Sequence, residues 1–161
     1  MPWFAALSRR FGRVREFTPG ASGMPLPTKA GAAGVTICSE AMFPEIARAR
    51  VRAGATFFVD PANDTWLTPR FSAQQFDIVR MRTVEQRRYL ARASTSGPSA
   101  VVDPLGRVVV HTNFFTQDAI VGRIHRRNDV TPYGRVGDLF AGGCAVASLA
   151  AWAGTARRTR A

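Results

Sequence analysis

Cys38 and Glu40 stand two residues apart in GVTICSEAMFPE, residues 34 to 45, where a β-branched apolar run gives way to a helical pattern. A cysteine at the C-terminal end of a sheet strand, just before a helix, occupies the position where open α/β sheets place functional groups. Helix N-terminal amides near such a thiol favour its thiolate and can donate to an oxyanion, so the chemistry on offer is nucleophilic acyl transfer at Cys38. The same placement also suits an inert core cysteine. Glu40 is a candidate base if the extended geometry persists past Cys38, and otherwise a cap for the helix that follows. A second polar group, Asn63, Asp64 and Trp66, follows the next apolar run. It is either part of a site or a pair of side-chain turns.

Other chemistries find less in the sequence. The remaining cysteine, Cys144, lies in a setting unlike that of Cys38, which argues against a disulfide framework. There is no CxxC or HExxH pattern, and His111 and His125 fall in separate strand-like segments, so no metal and no cofactor is expected. The formal net charge of +11 suggests a polyanion partner at first sight. The basic residues, however, are nearly all arginine, with Lys29 the single lysine, and are spread along the chain. No aromatic-interleaved basic groove accompanies them, so the charge reads as solvated helix faces and no nucleic acid is expected.

The elements that must position these residues follow from periodicity and punctuation. The first residues lack a secretory signal pattern. TPGASGMPLPTKAG is a Pro- and Gly-rich loop leading into a strand over GVTIC. A helix is predicted over about 42 to 52, closed by Gly54, then a buried strand over ATFFVDP, which makes a strand-helix-strand unit. A long helix is predicted from Ser72 to Arg92, its polar side mostly arginine. SAVVDPLGRVVVHT reads as a hairpin joined by the DPLG turn, and DAIVGRI as a further strand. From Leu139 to Gly154 the chain carries no charge for 16 residues, and Arg157, Arg158 and Arg160 follow. A membrane-spanning helix needs about 20 apolar residues, with a lower bound near 17. By itself this run fits either a short span with Trp152 at an interface or a buried Ala-rich helix.

The ordered set of FTPG (Phe17 to Gly20), IC-x-E (Ile37, Cys38, Glu40), ND-x-W (Asn63, Asp64, Trp66), R-x-R-x-x-E (Arg80, Arg82, Glu85), the SAVVDPLGRV hairpin and TPYGRVGD resembles a known family. It is similar to the C-terminal part of the carbon-nitrogen hydrolase (nitrilase-like) domain of the apolipoprotein N-acyltransferases, membrane enzymes that add the third acyl chain to bacterial lipoproteins. The resemblance runs from about Pro2 to Ala153.

It implies an α/β fold: a partial nitrilase-like αββα sandwich over 1-136, one C-terminal transmembrane helix over 137-154 and a basic cytoplasmic tail over 155-161. It also implies the bacterial cytoplasmic membrane as location, with the sheet domain on the extracytoplasmic side. Cys38 matches the family's nucleophile, which takes an acyl chain from a phospholipid donor as a thioester and passes it to a lipoprotein N-terminus. Glu40, Asn63, Asp64 and Trp66 are the supporting candidates at the site.

The family's base and oxyanion-holding cation are a glutamate and a lysine upstream of the nucleophile, and by the resemblance MPWF looks like the residues just after the segment that carries the lysine. The expectation is a C-terminal fragment inactive alone, or a half that needs a separate N-terminal half. Locally, Ser39 stands where the family often has an aromatic residue, and STSGPS replaces a stretch that usually has Asn before the Gly. The alternatives are a soluble nitrilase- or amidase-type hydrolase using the same thiol, and a non-catalytic basic protein binding lipid or nucleic acid.

Overall fold

The structure, a computed structural model, describes the backbone of residues 23–158 and the side chains of 23–152. FTPG therefore lies outside the described residues, as do the side chains of the basic tail. In chain order the elements are β1 (Leu26–Thr28), β2 (Gly31–Val35), a 3-10 turn (Cys38–Met42), α1 (Pro44–Arg52), β3 (Phe57–Ala62), α2 (Pro69–Gln86), β4 (Leu90–Ser94), β5 (Ala100–Val102), β6 (Val108–His111), α3 (Pro132–Val136) and α4 (Leu139–Arg158).

The strands form one mixed six-stranded sheet in sequential order. β2, β3 and β4 run parallel, and antiparallel strands flank them on both sides. Parallel neighbours need helical crossovers, and α1 and α2 supply them. Both helices cover the same face of the sheet. Ala47 and Val51 of α1 and Phe76 and Val79 of α2 pack on Phe58, Leu90, Ala100 and Val102, with Ala41 of the 3-10 turn in the same core. Side chains alternate along a strand, so Asp60 and Arg92, two residues beyond Phe58 and Leu90, point to this covered face as well. One helical layer on one sheet is half of the layered sandwich expected from the resemblance, and this mixed α/β sheet is what the described residues contain.

Several elements depart from the sequence expectations. The strand expected over GVTIC ends at Val35, and Cys38 opens a turn at φ 54°. The long helix stops at Gln86 because Arg87 takes a left-handed conformation at φ 49°. Arg88 then turns inward, donating through Nε to the Ala55 carbonyl (2.9 Å) and through Nη1 to that of Asp129 (2.8 Å). Residues 90 to 92 are consequently strand rather than helix. The hairpin forms as expected, with Asp103 Oδ1 accepting from the amides of Leu105 (2.8 Å) and Arg107 (3.0 Å) and Gly106 at φ 77°. DAIVGRI joins no ladder. It passes over the second face of the sheet, where a Cβ on Gly122 would meet Val101 Cγ2 at 2.6 Å.

α3 is tied to the body from two sides. Thr131 Oγ1 donates to the Glu85 carbonyl (2.5 Å), and Arg48 and Arg52 donate to the carbonyls of Gly134 (3.0 Å) and Arg135 (2.9 and 2.7 Å). α4 then leaves the body, with residues 138 to 152 exposed. A helix forms where the transmembrane segment over 137-154 was expected, but among the described residues no helix is long and apolar enough to cross a membrane. Its uncharged run is largely Ala, Gly and Ser and ends in arginines, which holds its mean hydropathy down.

Candidate active site

Cys38 lies beyond the C-terminal end of β2, beside the C-terminal end of β3. The residue is half-buried, and its Sγ sits 3.9 Å from the Asn63 carbonyl oxygen. An open cavity of about 500 Å³ adjoins it, lined by Ile37, Cys38, Pro61, Ala62, Asn63, Trp66, Ala93, Ser94 and Thr95. Most of that lining is apolar, and Trp66, 76 % exposed, stands at the rim.

The structure brings Cys38, Asn63 and Trp66 to this one cavity. Glu40 turns to its own backbone: Oε2 accepts the Ile37 amide at 3.0 Å, and the Glu40 amide donates to the Ile37 carbonyl at 3.0 Å. Of the two roles open to it, the observed contact is the cap. Asn63 Oδ1 accepts from the Thr65 amide (3.2 Å), Thr65 Oγ1 (2.7 Å) and Thr95 Oγ1 (3.0 Å), a side-chain turn that also reaches the loop after β4.

Asp64 points away from the cavity into the protein. Its carboxylate accepts from Arg92 Nη2 (3.0 and 3.3 Å), Ser72 Oγ (2.8 Å) and Ser94 Oγ (2.8 Å). Arg92 Nη1 meets Asp60 on the neighbouring strand, and the side chains of Asp60, Arg92 and Asp64 are all fully buried. Burial pushes the Asp60 carboxyl up to about 6, against the pull of Arg92, while the nearby Asp64 adds to the rise. The backbone amide of Cys38 also acts on this carboxyl and lowers its pKa. Asp60 Oδ1 has no hydrogen-bond partner.

Sequence reasoning missed Asp60, Arg92, Ser72 and Ser94. The one signal that could have found Arg92 was LARAS, whose alternation of Leu90, Arg92 and Ser94 is a strand pattern. In the R-x-R-x-x-E motif, Arg80 donates to the Gly106 carbonyl (2.9 and 3.1 Å) and Arg82 pairs with Glu85 at 2.9 Å, so neither residue reaches the thiol cavity.

The chain matches the carbon-nitrogen hydrolase family over residues 2–133. Among curated relatives, the apolipoprotein N-acyltransferase of Geobacter metallireducens is 36 % identical over 149 residues, covering 91 % of this chain and 28 % of the relative. That of Gloeobacter violaceus is 38 % identical over 135 residues, covering 83 % and 26 %. The chain thus spans less than a third of the length of these relatives. Among solved structures, a carbon-nitrogen hydrolase from Helicobacter pylori is similar with TM-score 0.55 at 21 % identity, covering 61 % of this chain and 42 % of that one. Saccharomyces cerevisiae Nit3, of the nitrilase superfamily, is similar with TM-score 0.53 at 28 % identity, covering 60 % and 39 %. The chain belongs to the carbon-nitrogen hydrolase family.

Proposed function

We propose that this chain carries the thiol part of a lipoprotein N-acyltransferase site, with Cys38 as the acyl-accepting nucleophile. The observation that carries the reading is the apolar cavity beside the Cys38 sulfur, which suits a hydrocarbon chain better than a small polar amide. The relatives' name supports the same reaction class. In the first step the thiolate attacks the carbonyl carbon of a phospholipid acyl ester; a C–S bond forms, the C–O bond breaks, and the lysophospholipid leaves. In the second step the α-amine of a lipoprotein's N-terminal cysteine attacks the thioester, an amide forms and the thiol is released.

Asn63 and Trp66 shape the mouth of the cavity, Glu40 holds the turn that presents the sulfur, and Asp64 holds the loop between them. The base and the cation for the oxyanion come from the rest of such a protein or from a separate N-terminal half, and the chain alone is close to inactive on phospholipid. α4, uncharged from Leu139 to Gly154 and exposed through 152, seats in the cytoplasmic membrane, with the sheet on the extracytoplasmic side.

The test is acylation of Cys38 by p-nitrophenyl esters of increasing chain length, which need no base for their leaving group. Rates at Cys38 that rise with chain length, and vanish in Cys38→Ala, are expected. Rates indifferent to chain length contradict the acyl-chain role of the cavity.

A further inference from the structure

Cys38 is one of three residues other than glycine with positive φ among the described residues, and it is the one with a nucleophilic side chain. A left-handed conformation is strained for a residue with a Cβ, and persists only where surrounding contacts over-determine it. Glu40 ties the turn to Ile37 from its own side, and a second set of contacts lies under the turn. Asp60 and Arg92 are register partners on β3 and β4, and Arg92 reaches on to Asp64 at 3.0 Å. Asp60 Oδ1 is fully buried and without a hydrogen-bond partner, on the strand that packs directly against the 3-10 turn opened by Cys38. On the other side, Asp64 gathers Ser72 from α2 and Ser94 from the end of β4. Ser94 Oγ in turn accepts the Gly97 amide at 3.0 Å. Gly97 lies so close that a Cβ would fall 2.2 Å from Asp64 Oδ2. The same loops are cross-tied by the Asp64 amide donating to Thr95 Oγ1 at 3.1 Å.

We propose that the buried Asp60–Arg92–Asp64 bridge is a positioning device for the thiol: Asp60 sets the backbone of Cys38 from beneath, and Asp64 locks the two loops, 63 to 67 and 94 to 97, that flank its sulfur. The proposal rests on Cys38 being the nucleophile. None of the three side chains touches the substrate. They act by fixing where the sulfur and the amides of its turn stand relative to an incoming carbonyl.

Two reactions of the same thiol separate positioning from ionisation. Alkylation by iodoacetamide needs a thiolate and little else, whereas acylation by p-nitrophenyl butyrate also needs donors aimed at the developing oxyanion. Both are run on the full chain with peptide mass spectrometry, and Cys144, exposed on α4, is the internal reference. The variants are Asp60→Asn, which keeps shape and removes charge, and Ser94→Ala, which removes one hydrogen bond to Asp64 and decides the matter if the first does not fold by circular dichroism.

The expected result is acylation of Cys38 lowered about tenfold or more, with its alkylation within about twofold of the unsubstituted chain and Cys144 unaffected in both. Acylation and alkylation changing in parallel, or neither changing, overturns the positioning proposal while leaving the nucleophile in place. An unsubstituted chain in which Cys38 acylates no faster than Cys144 overturns the nucleophile reading and this proposal with it.

Discussion

Asp60 and Arg92 are direct partners across the parallel pair β3 and β4, and both side chains are wholly withdrawn from solvent under α2, two residues before the strand ends that carry the thiol cavity. Arg92 also bonds Asp64, so one guanidinium balances two carboxylates in the interior. Removing it leaves both carboxylates buried without a cation. Arg92→Met should cost about 3–5 kcal/mol, the range for breaking a buried ion pair from one side. Urea denaturation of the variant and the parent checks this, and a loss under about 1 kcal/mol, typical of an exposed pair, would contradict the burial assigned here.

The pH dependence of stability follows from Asp60. Burial raises its carboxyl from 3.8 to about 6, with Arg92 opposing. A carboxyl whose folded pKa exceeds its unfolded one favours the folded state when protonated. Its contribution is complete below the unfolded value and is lost as pH rises through about 6. Asp60→Asn has no proton to lose there. Its stability relative to the parent should therefore climb across that window by something on the order of 3 kcal/mol, as read from denaturation at a series of pH values. A difference that stays flat with pH would show that Asp60 does not titrate in this way.

Gly97 is fixed by crowding rather than by its backbone angle. A methyl group there would lie 2.2 Å from Asp64 Oδ2 and 2.4 Å from Ser72 Oγ, both held in the buried network. Gly97→Ala should cost about 1–3 kcal/mol by overpacking and lower the melting temperature accordingly. Gly142, with open space around it, is the comparison site, and Gly142→Ala should leave the melting temperature unchanged or slightly higher.

Much of the scaffold was legible because it rests on local signals. The strand-helix-strand order around Cys38, the DPLG hairpin and the helix beginning at Leu139 all follow from periodicity and turn residues. What was not legible depends on contacts distant in sequence. Beyond the short alternation of LARAS, Arg92 reads as one more charge on an arginine-rich helix, and its partners, 32 and 28 residues earlier, are what hold it inward. The helix stop at Arg87 has no glycine to announce it. The inward turn of Arg88, toward carbonyls of Ala55 and Asp129, is what fixes it. Within the candidate site, Cys38, Asn63 and Trp66 were named from type and order, and they line one cavity. The buried carboxylate of Asp60 was not: ATFFVDP reads as a buried strand, but the Arg92 that pairs with Asp60 inside it comes from β4, 32 residues on.

The junction between body and α4 is held by arginines from another helix. Arg48 gives two hydrogen bonds to the end of α3, and its guanidinium packs against Gly137. Arg48→Ala should cost about 1 kcal/mol of stability. It should also speed proteolytic cleavage near 137 to 139 while leaving the core helices protected. Unchanged cleavage would mean that Thr131 and Arg52 suffice to hold α3.

The central claim is that Cys38 accepts an acyl group. Intact-mass and peptide mass spectrometry after exposure to an activated long-chain ester should place one acyl group on the Cys38 peptide, sensitive to hydroxylamine and discharged by a peptide with a lipidated N-terminal cysteine. The same adduct at equal yield in Cys38→Ala, or acyl transfer confined to Cys144, would contradict the account.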